Sequence, residues 1–457
     1  MKRALAGILL ALGLLAPACD DAGVTRPQWL VSIGTDASLP GFGDRVRVDL
    51  LDDDGGLCPT CSRVLDAETI TARPLSFGVQ PLANGGRRFV RARLYRAENT
   101  TATGEPEDPL IDVLGELPAL ADGVLEVNVL LGMSCFGKPA DALALSSCDP
   151  ATGEETAALR FEAGPPTALP VPGSWGGGDE PCNGEAPPGM VCVPGGVFLM
   201  GSRTFVPYGP DFDPVPEQLV RVAPFFMDIA ELDVATTRGL VERGARAPQG
   251  LDYDSRCTYR EVPGENDDSS INCLDRGKAR ELCEGLGKRL PSEAEWEFAA
   301  VDRAHEAEYP WAPTGDVSVG TLCRTAILAR GDTDILDASR HCILEEGLPA
   351  GPVDGGSPSD ITPLGILNLA GNMAEWVDDE FTLYSDDRCW GEQIELHDAK
   401  ACGGFPGDGI IRGGSWVNLI DNAHGFFRRR TSVDLEQSFV GVRCAQDDTP
   451  NGAQNDE

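Results

Sequence analysis

The chain has 457 residues and sets 73 aspartates and glutamates against 37 lysines and arginines, a formal charge of −36 at pH 7. So acidic a surface excludes nucleic acid and anionic lipid headgroups as electrostatic partners, while it favours solubility and suits divalent or basic ligands. The 4 histidines, His305, His341, His397 and His424, are scattered, and no His-x-x-x-His pair falls on a helix.

The chain opens MKRALAGILLALGLLAPAC, with Lys2 and Arg3 ahead of an apolar run from Ala4 to Leu15 and small residues before Cys19. That pattern predicts an export signal over 1–19 and not a membrane-spanning helix. The stretch Leu15-Ala16-Pro17-Ala18-Cys19 is similar to a bacterial lipoprotein cleavage box, whose cysteine is acylated; Pro17 departs from the pattern, and a plain secreted protein is the alternative. The expectation is a soluble body, tethered by 20–28 to a lipid bilayer through Cys19, on the periplasmic or outer surface of a bacterial cell envelope. No later apolar run reaches the roughly 18 residues of a membrane span. With Cys19 set aside, the 15 cysteines leave an even number, so disulfides are the default in an exported chain. Cys58-Pro-Thr-Cys61 lacks the strand-helix context of a redox pair and reads as a loop staple. Cys135 with Cys148, and Cys182 with Cys192, are plausible local pairs.

At this length two domains are expected. In 29–162 apolar residues alternate along Val46, Val48 and Leu50, along Val90, Ala92 and Leu94, and along Leu125, Val127 and Val129. Turn-forming stretches such as Asp52-Asp53-Asp54-Gly55-Gly56 separate the runs, which predicts a small antiparallel β-sandwich with a solvated hairpin tip at the aspartates. Residues 163–190 are dense in proline and glycine without a period and read as a linker. Beyond it, Ala279, Leu282, Cys283 and Leu286 make one helical stripe ending at Gly287. Ser292 and Glu295 make a capping box that starts a second helix. Short strands at Gly196–Met200 and Ile410–Arg412 complete an α+β pattern, and 446–457 is an acidic tail.

Several stretches occur in a fixed order: VPGGVFLMGS at 193–202, APFFMDIAELDV at 223–234, GKRLPSEAEWEFAA at 287–300, LGILNLAGNMAEWVDD at 364–379, RGGSW at 412–416 and GVRCA at 441–445. Over 191–445 the chain resembles the formylglycine-generating enzyme family, the sulfatase-modifying factors. The resemblance implies a C-type-lectin-like α+β fold with little regular secondary structure. It also implies a copper-dependent oxidation of a cysteine within a Cys-x-Pro-x-Arg segment. Copper(I) is held there by two thiolates five residues apart just after RGGS, and soft sulfur suits that ion. Here those positions are Asn418 and Ala423, so copper is not expected. Cys389 and Cys402 are conceivable substitutes, with a disulfide between them the preferred reading. The resemblance further implies a disulfide between Cys283 and Cys444. A second family disulfide is absent at both ends, where Ala300 and Arg428 stand.

The family loop Asn-x-x-Gly-Asn-x-x-Glu-Trp implies a calcium ion held by Asn368, the carbonyls of Gly371 and Met373, and Glu375, hard oxygens of the type calcium prefers. A turn with Glu375 bonded to backbone amides is the alternative, and 318–345 offers no clear second set. The expected ligand groove contains Ser415, Trp416, Asn418, His424 and Arg428. Strand alternation puts Arg428 and Arg430 on one side and Arg429 on the other, with ion pairing to carboxylates the preferred role for all three. Two functions follow. One is a non-catalytic binding or structural module for a protein, peptide or glycan ligand; the other is an oxidase with a variant site, in which Ser415 keeps a family position.

Overall fold

The computed structural model describes residues 26–83, 85–97, 100–107, 109–175, 180–202, 209–301, 309–311, 319–330, 342, 357–390, 397–399 and 406–448. Cys19, Cys402, His305, His341 and residues 449–457 of the acidic tail lie outside the described residues, while 446–448, the start of that tail, are described, with Gln446 and Asp447 in a strand.

The first unit contains β1 (Gln28–Thr35), β2 (Arg45–Leu51), β3 (Arg63–Asp66), β4 (Leu75–Val79), β5 (Phe89–Tyr95), β6 (Ile111–Glu116), β7 (Val124–Leu131), a hairpin of β8 (Ser146–Cys148) and β9 (Glu155–Ala157), and β10 (Leu159–Arg160). One sheet has the order β4-β1-β7 and the other β10-β6-β5-β2-β3. The alternation read from the sequence places Val46, Val48, Leu50, Val90, Ala92, Leu94, Val127 and Val129 in the core between the sheets, with Leu125 packed against it, and Ile111 and Val113 of β6 join them. The opposite face of β2 and β5 carries charge, with Asp49 accepting from Arg47 and Arg93. The sandwich is not wholly antiparallel: β1 runs parallel to β7 and β6 to β10. A period of two fixes which face a side chain takes but is silent on strand direction, and long connections permit parallel pairs.

The proline- and glycine-rich segment is bound to this unit. Asn128 donates to the carbonyl of Pro165 at 2.9 Å, the Gly173 amide to Ala37 at 3.0 Å and the Trp175 amide to Asp36 at 3.1 Å, while the Trp175 ring packs on the sandwich core.

The second unit holds β11 (Met190–Val193), β12 (Gly196–Met200), β13 (Gln218–Val222), β14 (Phe225–Asp228), α1 (Val234–Glu242), α2 (Arg276–Glu284), α3 (Glu293–Ala300), α4 (Val319–Thr325), β15 (Ala374–Glu380), α5 (Asp387–Trp390), β16 (His397–Asp398), β17 (Asp408–Arg412), β18 (Arg428–Ser432), β19 (Val440–Gly441) and β20 (Ala445–Asp447). Its sheets run β11-β14-β20, β12-β13-β16 and β18-β17-β15-β19, with short helices and long loops between them, so the architecture is α+β. The helix expected through Leu286 stops at Glu284, and the chain turns to Gly287 at φ +71°. The Ser292 capping box forms on α3 as read, with the Glu295 carboxylate returning to the Ser292 amide at 2.8 Å. Both α3 and the β17–β15 pair bury Trp296 and Trp376 completely, which fixes the platform from which the RGGSW turn projects.

Candidate functional site

Strand β17 delivers Arg412, fully buried, into two carboxylates: Nη1 donates to Glu293 at 3.1 Å and Nη2 to Glu297 at 2.5 Å. Gly413 and Gly414 then take φ of +85° and +66°. A Cβ at Gly413 would meet the Leu369 carbonyl at 2.9 Å, and one at Gly414 the Asn422 carbonyl at 2.8 Å, so only glycine makes this turn. Beyond it, Ser415 donates to Asn418 Oδ1 at 2.6 Å. The turn is pinned by the Ala329 amide on the Asn418 carbonyl and the Arg330 amide on the Trp416 carbonyl, both 2.7 Å, and by the Trp416 amide on Asn372 at 3.0 Å. Ala423 is wholly buried in an apolar cluster with Leu322, Cys323, Ala326, Leu328 and Ala370. Where a thiolate pair is implied by the resemblance, the side chains are an amide bonded to serine and a methyl group in a small core.

The groove residues named from sequence do not share one surface. Ser415 and Trp416 are buried beneath the turn. His424 is held between Tyr309 and Phe426, each ring centroid 4.8 Å away, with Nδ1 2.6 Å from the Asp421 carbonyl. Arg428 lies in the core and not in a groove. Its Nε and Nη2 meet Glu293 at 2.8 Å, Nη1 meets the Thr382 carbonyl at 2.9 Å, and the guanidinium lies 4.0 Å over the Tyr384 ring. Arg430 lies on the Phe381 side as Arg428 does and pairs with Asp408 at 2.6 Å, whereas Arg429 lies over Phe212 and Phe439. Strand alternation alone could not tell that Arg428 is covered, because Phe381 and Tyr384 come from a distant loop.

An open cavity of about 480 Å³ lies on the outer side of the turn, lined by Tyr253, Asp254, Arg256, Val417, Glu436, Gln437, Ser438 and Phe439. Trp416 reaches this wall: its Nε1 donates to Ser438 at 3.4 Å, and the Arg256 guanidinium lies 5.5 Å over its ring. Arg256 pairs with Asp254 at 3.2 Å, and that carboxyl is held below its usual range, chiefly by the Arg256 amide. Glu436 pairs with Lys278, while Gln437 Oε1 is buried without a partner. Of this wall the sequence reading had named none but Trp416. Its residues come from three irregular segments, 253–256, the turn at Val417 and 436–439, and only the unanticipated Cys257–Cys273 disulfide beside Arg256 could have marked the first.

The loop expected to hold calcium is closed on itself. Asn368 Oδ1 accepts from the Ser357 amide at 2.7 Å, and its Nδ2 donates to Glu231 at 3.2 Å. Glu375 accepts from Arg443 at 2.8 Å and from the Trp296 indole at 2.7 Å, so it is bonded neither to backbone amides nor to open space. The side-chain oxygens that calcium would need, on Asn368 and Glu375, are spent on protein donors, which leaves only the carbonyls of Gly371 and Met373 from the expected set. As arranged, this donor set does not fit the ion. Among the described residues no group of three His, Cys, Asp or Glu side chains is placed to hold a metal. The acids that face this loop are Glu231, which also accepts from Asn372 and the Met373 amide at 3.0 Å, and Asp360, whose Oδ1 is buried without a partner. Burial, with the charge of Glu375 next, pushes the Glu231 carboxyl up to about 7, and burial does the same to Asp360. Neither acid was singled out in the sequence, although Glu231 lies in APFFMDIAELDV.

Every described cysteine is disulfide-bonded. Cys58–Cys61, Cys135–Cys148, Cys182–Cys192 and Cys283–Cys444 form, as do Cys257–Cys273 and Cys323–Cys342. Cys389 is also oxidised, and its expected partner lies outside the described residues.

Residues 179–448, more than half the chain, match the model of the sulfatase-modifying factor enzyme 1-like domain. The formylglycine-generating enzyme of Bos taurus is 24% identical over 348 residues, 66% of this chain and 83% of the enzyme. The inactive C-alpha-formylglycine-generating enzyme 2 of Bos taurus is 26% identical over 173 residues, 36% and 46% of the two chains. The serine/threonine-protein kinase Pkn1 of Chlamydia trachomatis serovar L2 is 31% identical over 165 residues, 35% of this chain, and the chain spans only 22% of that kinase's length. PvdO of Pseudomonas aeruginosa aligns in structure with a TM-score of 0.40 and 20% identity, over 56% of this chain and 94% of that one. By the family match, the chain belongs to the sulfatase-modifying factor family of formylglycine-generating enzyme-like proteins.

Proposed function

We propose that the protein is an exported, lipid-anchored binding module of a bacterial cell envelope, built on a formylglycine-generating-enzyme-like domain that does not form formylglycine. One observation carries this reading: the positions matching the copper thiolates hold Asn418 and Ala423, and every described cysteine is already in a disulfide. An amide oxygen and a methyl group do not replace soft sulfur for copper(I). A relative that bears the name of an inactive enzyme supports the same reading. The open cavity beside Trp416 supports a ligand surface, with a protein, peptide or glycan as its occupant. The export signal, the lipoprotein-like box at Cys19 and the dense disulfides support placement at the envelope.

The Ser415 hydroxyl, retained at a family position, favours the alternative of an oxidase with a variant site. Incubating the purified mature protein with copper(I), oxygen and a Cys-x-Pro-x-Arg peptide separates the two. Mass spectrometry is expected to show the peptide unchanged. Copper-dependent conversion of its cysteine to the aldehyde would overturn the binding-module reading.

A further inference from the structure

Among the described residues, the buried arginines of this acidic chain are answered by charge, with one exception. Arg412 and Arg428 meet Glu293, Arg443 meets Glu375, and Arg238 meets Asp267. Arg276 has no ion pair, but it donates to the Asp379 carbonyl at 2.7 Å and feels the carboxylates of Asp378, Glu380 and Asp379. Arg330 has neither kind of support. It is 5% exposed, its Nη2 reaches only the Cys323 carbonyl at 3.3 Å, and its Nε is buried without any partner. No described carboxylate pairs with it, and burial alone lowers its proton affinity.

The position of this guanidinium is specific. The Arg330 amide bonds the Trp416 carbonyl, and the preceding Ala329 amide bonds Asn418, so Arg330 backs directly onto the turn where relatives build their reaction centre. Its one partner, Cys323, belongs to the apolar cluster that holds Ala423. An arginine left alone in such surroundings is unfavourable, whereas an oxyanion offering two coplanar oxygens matches its fork of donors. The sequence has 73 acidic residues, yet among the described residues none of their carboxylates pairs with Arg330.

We propose that Arg330 is an oxyanion-binding site at the back of the Ser415–Asn418 turn, taking a carboxylate, sulfate or phosphate group. The anion arrives either free or as the acidic group of a larger ligand. The site goes beyond the binding-module reading and would stand equally in an active oxidase, since it concerns binding and not turnover.

The full mature chain is melted in rising sodium sulfate, sodium phosphate and sodium acetate, each against sodium chloride at matched ionic strength, because screening alone stabilises an acidic protein. Sulfate and phosphate also act by exclusion from the surface, so the informative quantity is the difference between wild type and Arg330→Met. The expected result is a saturable rise for at least one oxyanion in wild type, weakened at least tenfold in Arg330→Met. In chloride that variant should melt no lower than wild type, since it no longer buries an unpaired charge. Arg330→Lys keeps the charge without the fork and should bind with intermediate strength. A response to acetate assigns the site to carboxylates, and one confined to sulfate and phosphate assigns it to tetrahedral anions. Oxyanion curves that coincide for wild type and Arg330→Met overturn the proposal, as does a fall in melting temperature of Arg330→Met that no anion lessens in wild type.

Discussion

Glu293 answers two guanidinium groups at once, and this sets what each arginine is worth. Arg412 and Arg428 both reach its carboxylate, and all three side chains are shielded from water. Removing one partner of such a network leaves the rest with unbalanced charge in a medium of low dielectric, a loss of about 3 kcal/mol or more. Arg428→Met is therefore expected to lower unfolding stability by about that amount in urea titration. Arg430→Met, on the same side of β18 but only half-buried, should change it by no more than about 1 kcal/mol. Equal effects would contradict the core placement of Arg428. The two arginines are indistinguishable in RRR, and what separates them is the cover supplied by Phe381 and Tyr384. Single residues were legible where the partner lies nearby, as with Ser292 and Glu295, and illegible where the partner is distant, as with Glu375 and Arg443.

Among the elements, the loop from Ser357 to Glu375 concentrates titratable charge. Asp360 rises from an ordinary value of 3.8 to about 7, from burial first, with Glu231 and Glu375 adding to it and the Ala370 amide and Arg443 opposing. Between those two values the folded chain keeps a proton that the unfolded chain has released. The Asp360 contribution to stability is thus complete below about pH 4 and is lost as pH rises through 7. Asp360→Asn removes this ionisation while keeping an oxygen for the Ala370 amide. Relative to wild type, the variant is expected to gain stability from pH 5 to pH 8, reaching about 2 kcal/mol once neighbouring charge is discounted. A difference between the two proteins that does not change with pH would refute the buried charge. The family motifs placed this loop in the sequence and named its amides, but periodicity does not report which acids a fold turns inward. Strand direction in the sandwich escaped for a related reason: β1 and β7 pair in parallel through a register that no local alternation encodes.

For the whole molecule, the decisive strand is β12, which has no free face. Phe198 and Met200 enter the core of the second unit, while Val197 and Leu199, on the other side, join the core of the sandwich together with Leu219. Arg96 of the first unit pairs with Glu217 of the second at 2.8 Å. A proline- and glycine-rich connection suggested two independent bodies, yet the connection itself is bonded to the sandwich, and the apolar side chains cross the boundary. Shared burial couples the two unfolding reactions, because separating the units exposes these three side chains to water. Leu219→Ala, at a residue 2% exposed, is expected to cost about 2–4 kcal/mol. Hydrogen exchange should show amides in both β5 and β17 losing protection together, since opening the contact weakens both cores. Loss confined to β17 would mean that the sandwich stands alone, and the boundary would then be a hinge and not a shared core.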